Sequence, residues 1–192
     1  ASAAAQGLKP GMMLADARAM VPGLRCCSAD AEAEAASLRD ITDWCRGFTP
    51  LAALDPPDGV MLDVTGATHL FGGEEKLLAE MEARLAAQGF AAQAVFASIA
   101  EAAWALARFG RERRLPPILP DKSDATDIGR CLGALPLAAL RLEDATLAAL
   151  NQSGLRRIDD LILRPRAPLA ARFGVALFAR LDGLLGRGKK PI

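Results

Sequence analysis

The chain has 192 residues, 52% of them hydrophobic, and a net charge of zero. That is enough apolar material for one large domain or two small ones with real cores, which excludes a disordered chain. No apolar run reaches the ~18 residues a membrane span needs, and no basic-apolar leader opens the chain, so a soluble, cytoplasmic protein without membrane contact is expected.

The charge is spread unevenly. Residues 1–100 carry 7 basic and 13 acidic side chains, and residues 101–192 carry 16 basic and 10 acidic ones. A basic second half could face a polyanion. The four cysteines, Cys26, Cys27, Cys45 and Cys131, form no C-x-x-C pair, and His69 is the single histidine. A structural zinc site needs about four such ligands in paired spacings, so no metal and no cofactor is expected. Adjacent Cys26 and Cys27 suit buried, reduced thiols better than a disulfide framework.

In chain order, "ASAAAQGLKPGM" reads as a helix end, a glycine stop and a proline turn. "MLADARAMV" has helical spacing and stops at Pro22-Gly23. Asp30 to Phe48 is again helical, with Leu38, Ile41, Trp44 and Cys45 on one face. "TPLAALD" and "VMLDV" read as strands around the turn Pro56-Pro57-Asp58-Gly59, a β-hairpin. "GGEEKLLAEMEARLAAQGF" is a helix with Glu74 and Glu75 in its first turn and Gly89 at its close. "AAQAVFASI" follows as a strand and "AEAAWALARFG" as a helix. Residues 50–110 therefore read as an α+β layer, an antiparallel sheet with helices on one face. "RERRLPPILPDKSD" reads as a linker. Beyond it lie short helices: "LGALPLAAL", "EDATLAALNQSG", "RIDDLILRP" and "APLAARFGVALFARLDGLLG".

Three segments, in order, resemble the Y-family DNA polymerases, the translesion enzymes. "GLKPGM" (7–12), then "ADAR" (15–18) and Pro22, is similar to the family's fingers motif. "LDVTG" (62–66) resembles the end of its palm motif, S-I-D-E-A-F-L-D-V-T-G. "LNQSGLRRIDDL" (150–161) resembles the thumb sequence L-x-x-L-G-I-x-T-I-G-D-L. The resemblance implies a partial palm followed by a small all-α, helix-hairpin-helix-like thumb. It divides the chain into late fingers (1–30), palm-like domain (31–110), linker (111–122), thumb-like domain (123–188) and tail (189–192).

The departures bear on activity. The family's palm reaction uses two magnesium ions held by carboxylates. Its Asp-Glu pair lies five and four residues before the aspartate of "LDVTG", at Asp58 and Gly59 here. Placing Asp55 at the aspartate instead puts Pro56 at the glutamate. A continuous strand would also point Asp58 and Asp63 to opposite faces. The family's triphosphate-binding tyrosine, arginine and lysine fall on Ala1, Ala4 and Ala102. Phosphoryl transfer rests on positioning and charge neutralisation, which methyl groups cannot supply. In the thumb, Arg141-Leu142-Glu143 stands where the family's G-x-G turn lets backbone N–H groups approach a DNA phosphate. Arg156, Arg157, Lys189 and Lys190 remain as candidate DNA-backbone contacts.

This pattern is similar to the ImuB-like branch of the family, which implies a non-catalytic adaptor in damage-induced (SOS) translesion synthesis. The implied partners, reached through the full-length protein, are the sliding clamp, an ImuA-type protein and an error-prone C-family polymerase, with primer-template DNA as a further partner. Two other readings stay open on the residues: an active Y-family polymerase with displaced acids, and an unrelated DNA- or protein-binding module. His69 reads as a turn or helix-start residue, and Trp44 and Trp104 as core. Gly72-Gly73 is followed by acids, which argues against a phosphate loop.

Overall fold

The computed structural model describes residues 3–9, 11–119 and 125–187. It divides into two compact units, residues 1–60 and 61–192, and the division falls inside the second strand.

In the first unit a short 3-10 turn, Ala4–Gln6, precedes α1 (Leu14–Met20) and α2 (Ala31–Cys45). Asp30 starts α2 as expected: its carboxylate accepts the Ala33 N–H at 3.0 Å, satisfying one of the helix's orphan donors. The far end of α2 carries an edge-on contact of Trp44 and Phe48, 5.1 Å between ring centroids, and Cys45 in its last turn is buried. Burial alone raises the Cys45 thiol above its ordinary value. Strand β1 (Ala52–Asp55) packs on α2 and pairs with β2 (Gly59–Leu62), so the hairpin forms where the Pro-Pro-Asp-Gly turn places it. The Pro56-Pro57 peptide bond is cis.

One expectation for this unit is corrected. Cys26 and Cys27 are exposed, not buried. They lie in the stretch between α1 and α2, whose residues reach no apolar layer: Leu24 is only half-buried and 25–30 are exposed.

In the second unit a 3-10 turn (Thr68–Phe71) leads to α3 (Glu74–Ala87) and α4 (Ala100–Phe109). The close of α3 follows from Gly89, whose φ of 88° lets the Phe90 N–H reach back to the Leu85 carbonyl at 3.0 Å. The strand expected at "AAQAVFASI" is reduced to a single parallel bridge between Phe96 and Ile118. Phe96 donates to the Pro117 carbonyl and accepts from Leu119, both at 2.8 Å. The partner segment cannot extend that ladder, because Pro116 and Pro117 carry no N–H.

Residues 111–119 are mostly exposed but anchored at two points. Leu119 is buried, and the Arg113 guanidinium donates to the carbonyls of Ala134 and Phe109 at 2.9 and 3.3 Å. Then come α5 (Ala125–Gly133), a 3-10 turn (Leu137–Leu140), α6 (Asp144–Gln152), α7 (Ile158–Ile162), α8 (Arg166–Phe173) and α9 (Ala176–Leu184). "LGALPLAAL" is thus not one helix: Pro136 starts a separate 3-10 turn. A continuous apolar core joins α4 to this helical region, with Ala102, Leu106, Leu132, Leu150, Leu161 and Leu181 all essentially inaccessible. At roughly 1.5–3 kcal/mol per fully buried leucine, this core dominates the unit's stability. Among the described residues no helix is long and apolar enough to cross a membrane.

Candidate functional site, the β1–β2 hairpin and the α6–α7 turn

The palm-like aspartates are placed by the hairpin. Asp55 ends β1 and is half-buried; Asp58 is exposed in the turn; Asp63 is exposed just after β2. The strand between Asp58 and Asp63 covers only residues 59–62, so the two acids sit in turns at its ends rather than on one continuous strand. Gly59, at the family's glutamate position, is hemmed in. A Cβ there would meet the Asp55 carbonyl oxygen at 3.0 Å and its Oδ2 at 3.3 Å. Asp63 serves its own turn. The Thr65 side chain bonds to its carboxylate and the Thr65 N–H donates to Oδ1 at 2.9 Å, which hold the carboxyl below the usual range.

Magnesium needs several hard oxygens converging in octahedral geometry. Among the described residues no three His, Cys, Asp or Glu come together in such a group. The residues present do not fit a two-magnesium centre. Ala102, at the family's lysine position, is fully buried in the α4 face of the core, so its methyl group packs instead of facing a triphosphate. Ala1 lies outside the described residues. His69 is exposed in its 3-10 turn.

The α6–α7 turn is built differently. Gly154, with φ of 78°, closes α6 and lets the Leu155 N–H reach the Leu150 carbonyl at 3.1 Å, burying both leucines. The chain then passes Arg156 and Arg157, both exposed, into α7. Asp160, in the first turn of α7, accepts the N–H groups of Arg156 at 2.8 Å and Arg157 at 2.9 Å. Those two bonds, with nearby Arg164 and Arg157, hold the Asp160 carboxyl below the usual range. Leu137 N–H donates to the Arg156 carbonyl at 3.2 Å, and Ile158 N–H to the Leu135 carbonyl at 3.0 Å. The N–H groups of residues 156–158 are thus already taken, and the guanidinium groups are what this turn presents to solvent. Lys189 and Lys190 lie outside the described residues.

The turn before α6 holds a glycine-like conformation at a residue that is not glycine. Arg141 has φ of 51°, a left-handed value that costs a side chain energy. Its guanidinium lies 4.6 Å from the centre of the Trp104 ring, with Arg108 5.2 Å from the same ring. Trp104 is expected as plain core, and nothing in the sequence signals the two arginines over its ring. Glu143 precedes α6 and Asp144 lies in its first turn, so the helix start carries two acids that repel a phosphate.

Over 98% of its length the chain has the fold of a Y-family DNA polymerase: it superposes on DinB from Sulfolobus solfataricus with a TM-score of 0.70 at 17% identity, covering 55% of that chain. The insertion ternary complex of Dbh DNA polymerase superposes with a TM-score of 0.68 at 16% identity, over 99% of this chain and 55% of that one. Residues 1–106 match the impB/mucB/samB family, IMS, and the chain belongs to that family. It is 44% identical over 186 residues to Protein ImuB of Caulobacter vibrioides, in two strains. That match takes in 97% of this chain and 39% of the relative, so the chain spans about two-fifths of the length of these curated proteins.

Proposed function

We propose that this chain is the polymerase-like part of a non-catalytic adaptor in bacterial damage-induced (SOS) translesion synthesis and mutagenesis. In this reading residues 1–30 are late fingers, 31–110 a palm-like domain, 111–122 a linker, 123–188 a thumb-like domain and 189–192 a tail. The full-length, cytoplasmic protein links the sliding clamp, an ImuA-type protein and an error-prone C-family polymerase. The observation that carries the reading is Gly59: the position of the family's catalytic glutamate holds a glycine packed against Asp55. Without that acid the hairpin lacks a carboxylate that would help hold the magnesium ions, which in the family clamp the attacking and leaving oxygens. The kinship with ImuB supports the adaptor role.

DNA contact belongs to the same reading. Arg156 and Arg157, with Lys189 and Lys190 further on, meet the backbone of primer-template DNA by charge alone. Binding of this kind is salt-sensitive and nearly indifferent to sequence. The test of the adaptor role is co-purification of the full-length protein with clamp, ImuA-type protein and C-family polymerase. Association with these partners is expected; failure to retain any of them would overturn it.

A further inference from the structure

Cys26 and Cys27 are adjacent, and both are exposed. They lie between α1 and α2, in residues 24–30, a stretch without helix or strand. The backbone bonds that bracket it are Leu24 N–H to the Val21 carbonyl and Glu34 N–H to the Asp30 carbonyl, both 2.9 Å. Among the described residues no backbone–backbone bond fastens 25–29 between them. The Cys26 thiol makes one weak contact, 3.8 Å to the Leu24 carbonyl. By contrast Cys45 is buried and Cys131 half-buried on α5. A buried thiol is out of a reagent's reach, so the accessible pair is the adjacent one.

Adjacency also selects the chemistry. Consecutive Cα atoms are about 3.8 Å apart, below the ~4.4–6.8 Å of ordinary disulfides, so a direct S–S bond here would be strained. An atom placed between the two sulfurs removes that constraint. The geometry points to Cys26–Cys27 as a vicinal dithiol site for a soft, thiophilic trivalent centre, with a trivalent arsenical as its simplest ligand. The step needs no oxidant. An arsenic(III) oxide R–As=O condenses with both thiols, two As–S bonds form, the oxygen leaves as water with the two thiol protons, and arsenic stays trivalent. An unfastened backbone lets residues 25–29 turn both sulfurs to one side. Closure of the ring then stiffens the segment between α1 and α2.

The probe is phenylarsine oxide, read by mass spectrometry of the reduced native protein and of its peptides. One adduct per chain is expected, on the peptide that holds both cysteines. It is reversed by a dithiol but not by a monothiol, and lost in both Cys26→Ser and Cys27→Ser. The urea-unfolded chain is the reference, because adjacency alone secures capture there. Native capture as fast as unfolded capture supports a site open in the fold. Capture only after unfolding, an adduct on Cys45 or Cys131, or an adduct that survives either substitution would overturn it.

Discussion

The β1–β2 hairpin and the α6–α7 turn both carry family sequence, but they have kept different parts of it. The hairpin keeps its shape through local means: a proline turn, a glycine against Asp55, and an aspartate bonded to Thr65. Its side chains are half-buried or exposed, with Leu54 at 43%. The α6–α7 turn is anchored by side chains that reach a deep core, Leu150, Leu155, Ile158 and Leu161 all at 1% or less. A family motif can be held in two ways: as a self-contained turn, or as the rim of a packed core that presents charge.

The largest effect that could break this contrast is on stability. Leu161→Ala should cost ~2–5 kcal/mol, because it opens a cavity in a tight core. Leu54→Ala, on the exposed hairpin, should stay within roughly 0.5 kcal/mol. Urea unfolding of both variants checks the pair, and equal costs would erase the distinction.

Restoring the missing acid comes next. Gly59→Glu forces a side chain against Asp55, and overpacking of this kind costs ~1–3 kcal/mol. Primer extension by that variant should remain at background, because one carboxylate does not rebuild a magnesium site. Extension by Gly59→Glu would mean that the hairpin is a polymerase site short of a single residue.

Asp160→Ala should cost about 1 kcal/mol, the scale of losing a helix N-terminal acceptor. Asp160 and Asp182 also make a pH prediction. Asp182 is held low by its paired bonds from Arg166, 2.8 and 2.5 Å. Both carboxyls bind a proton less readily folded than unfolded. Their contribution is therefore fully present above about pH 4 and is lost as pH falls through the depressed folded values. Both are close to solvent, so the loss is small. The gap between urea midpoints at neutral and acid pH should narrow when Asp160→Asn and Asp182→Asn are combined, with Asp63 still contributing.

The smallest effect on the fold is the most direct on DNA. Arg156→Ala with Arg157→Ala should leave the unfolding midpoint unchanged and weaken primer-template binding. The slope of log affinity against log salt should fall by roughly 1 for each phosphate contact removed. Binding that ignores salt, or ignores both substitutions, would remove the α6–α7 turn from the proposed DNA surface.

Much of the framework was legible in the sequence, because it is written in residues with narrow local uses. Asp30 and Gly89 set helix ends, and Pro-Pro-Asp-Gly sets the hairpin. What could not be read depended on partners distant in sequence. The strand at 91–99 needed a neighbour rich in N–H groups and met Pro116 and Pro117. Arg141 looked like a loss of glycine, and only the fold brings its guanidinium over Trp104. Cys26 and Cys27 looked like core material because cysteine is usually buried, but nothing around them supplies an apolar layer. At the candidate site, the missing glutamate was readable by counting residues. The closeness of Gly59 to Asp55 was not.

The central claim is the loss of polymerase chemistry, and primer extension by the full-length protein with magnesium and all four deoxynucleotides tests it most directly. No incorporation above the protein-free background is the predicted result. Incorporation that disappears in Asp58→Ala would contradict the account.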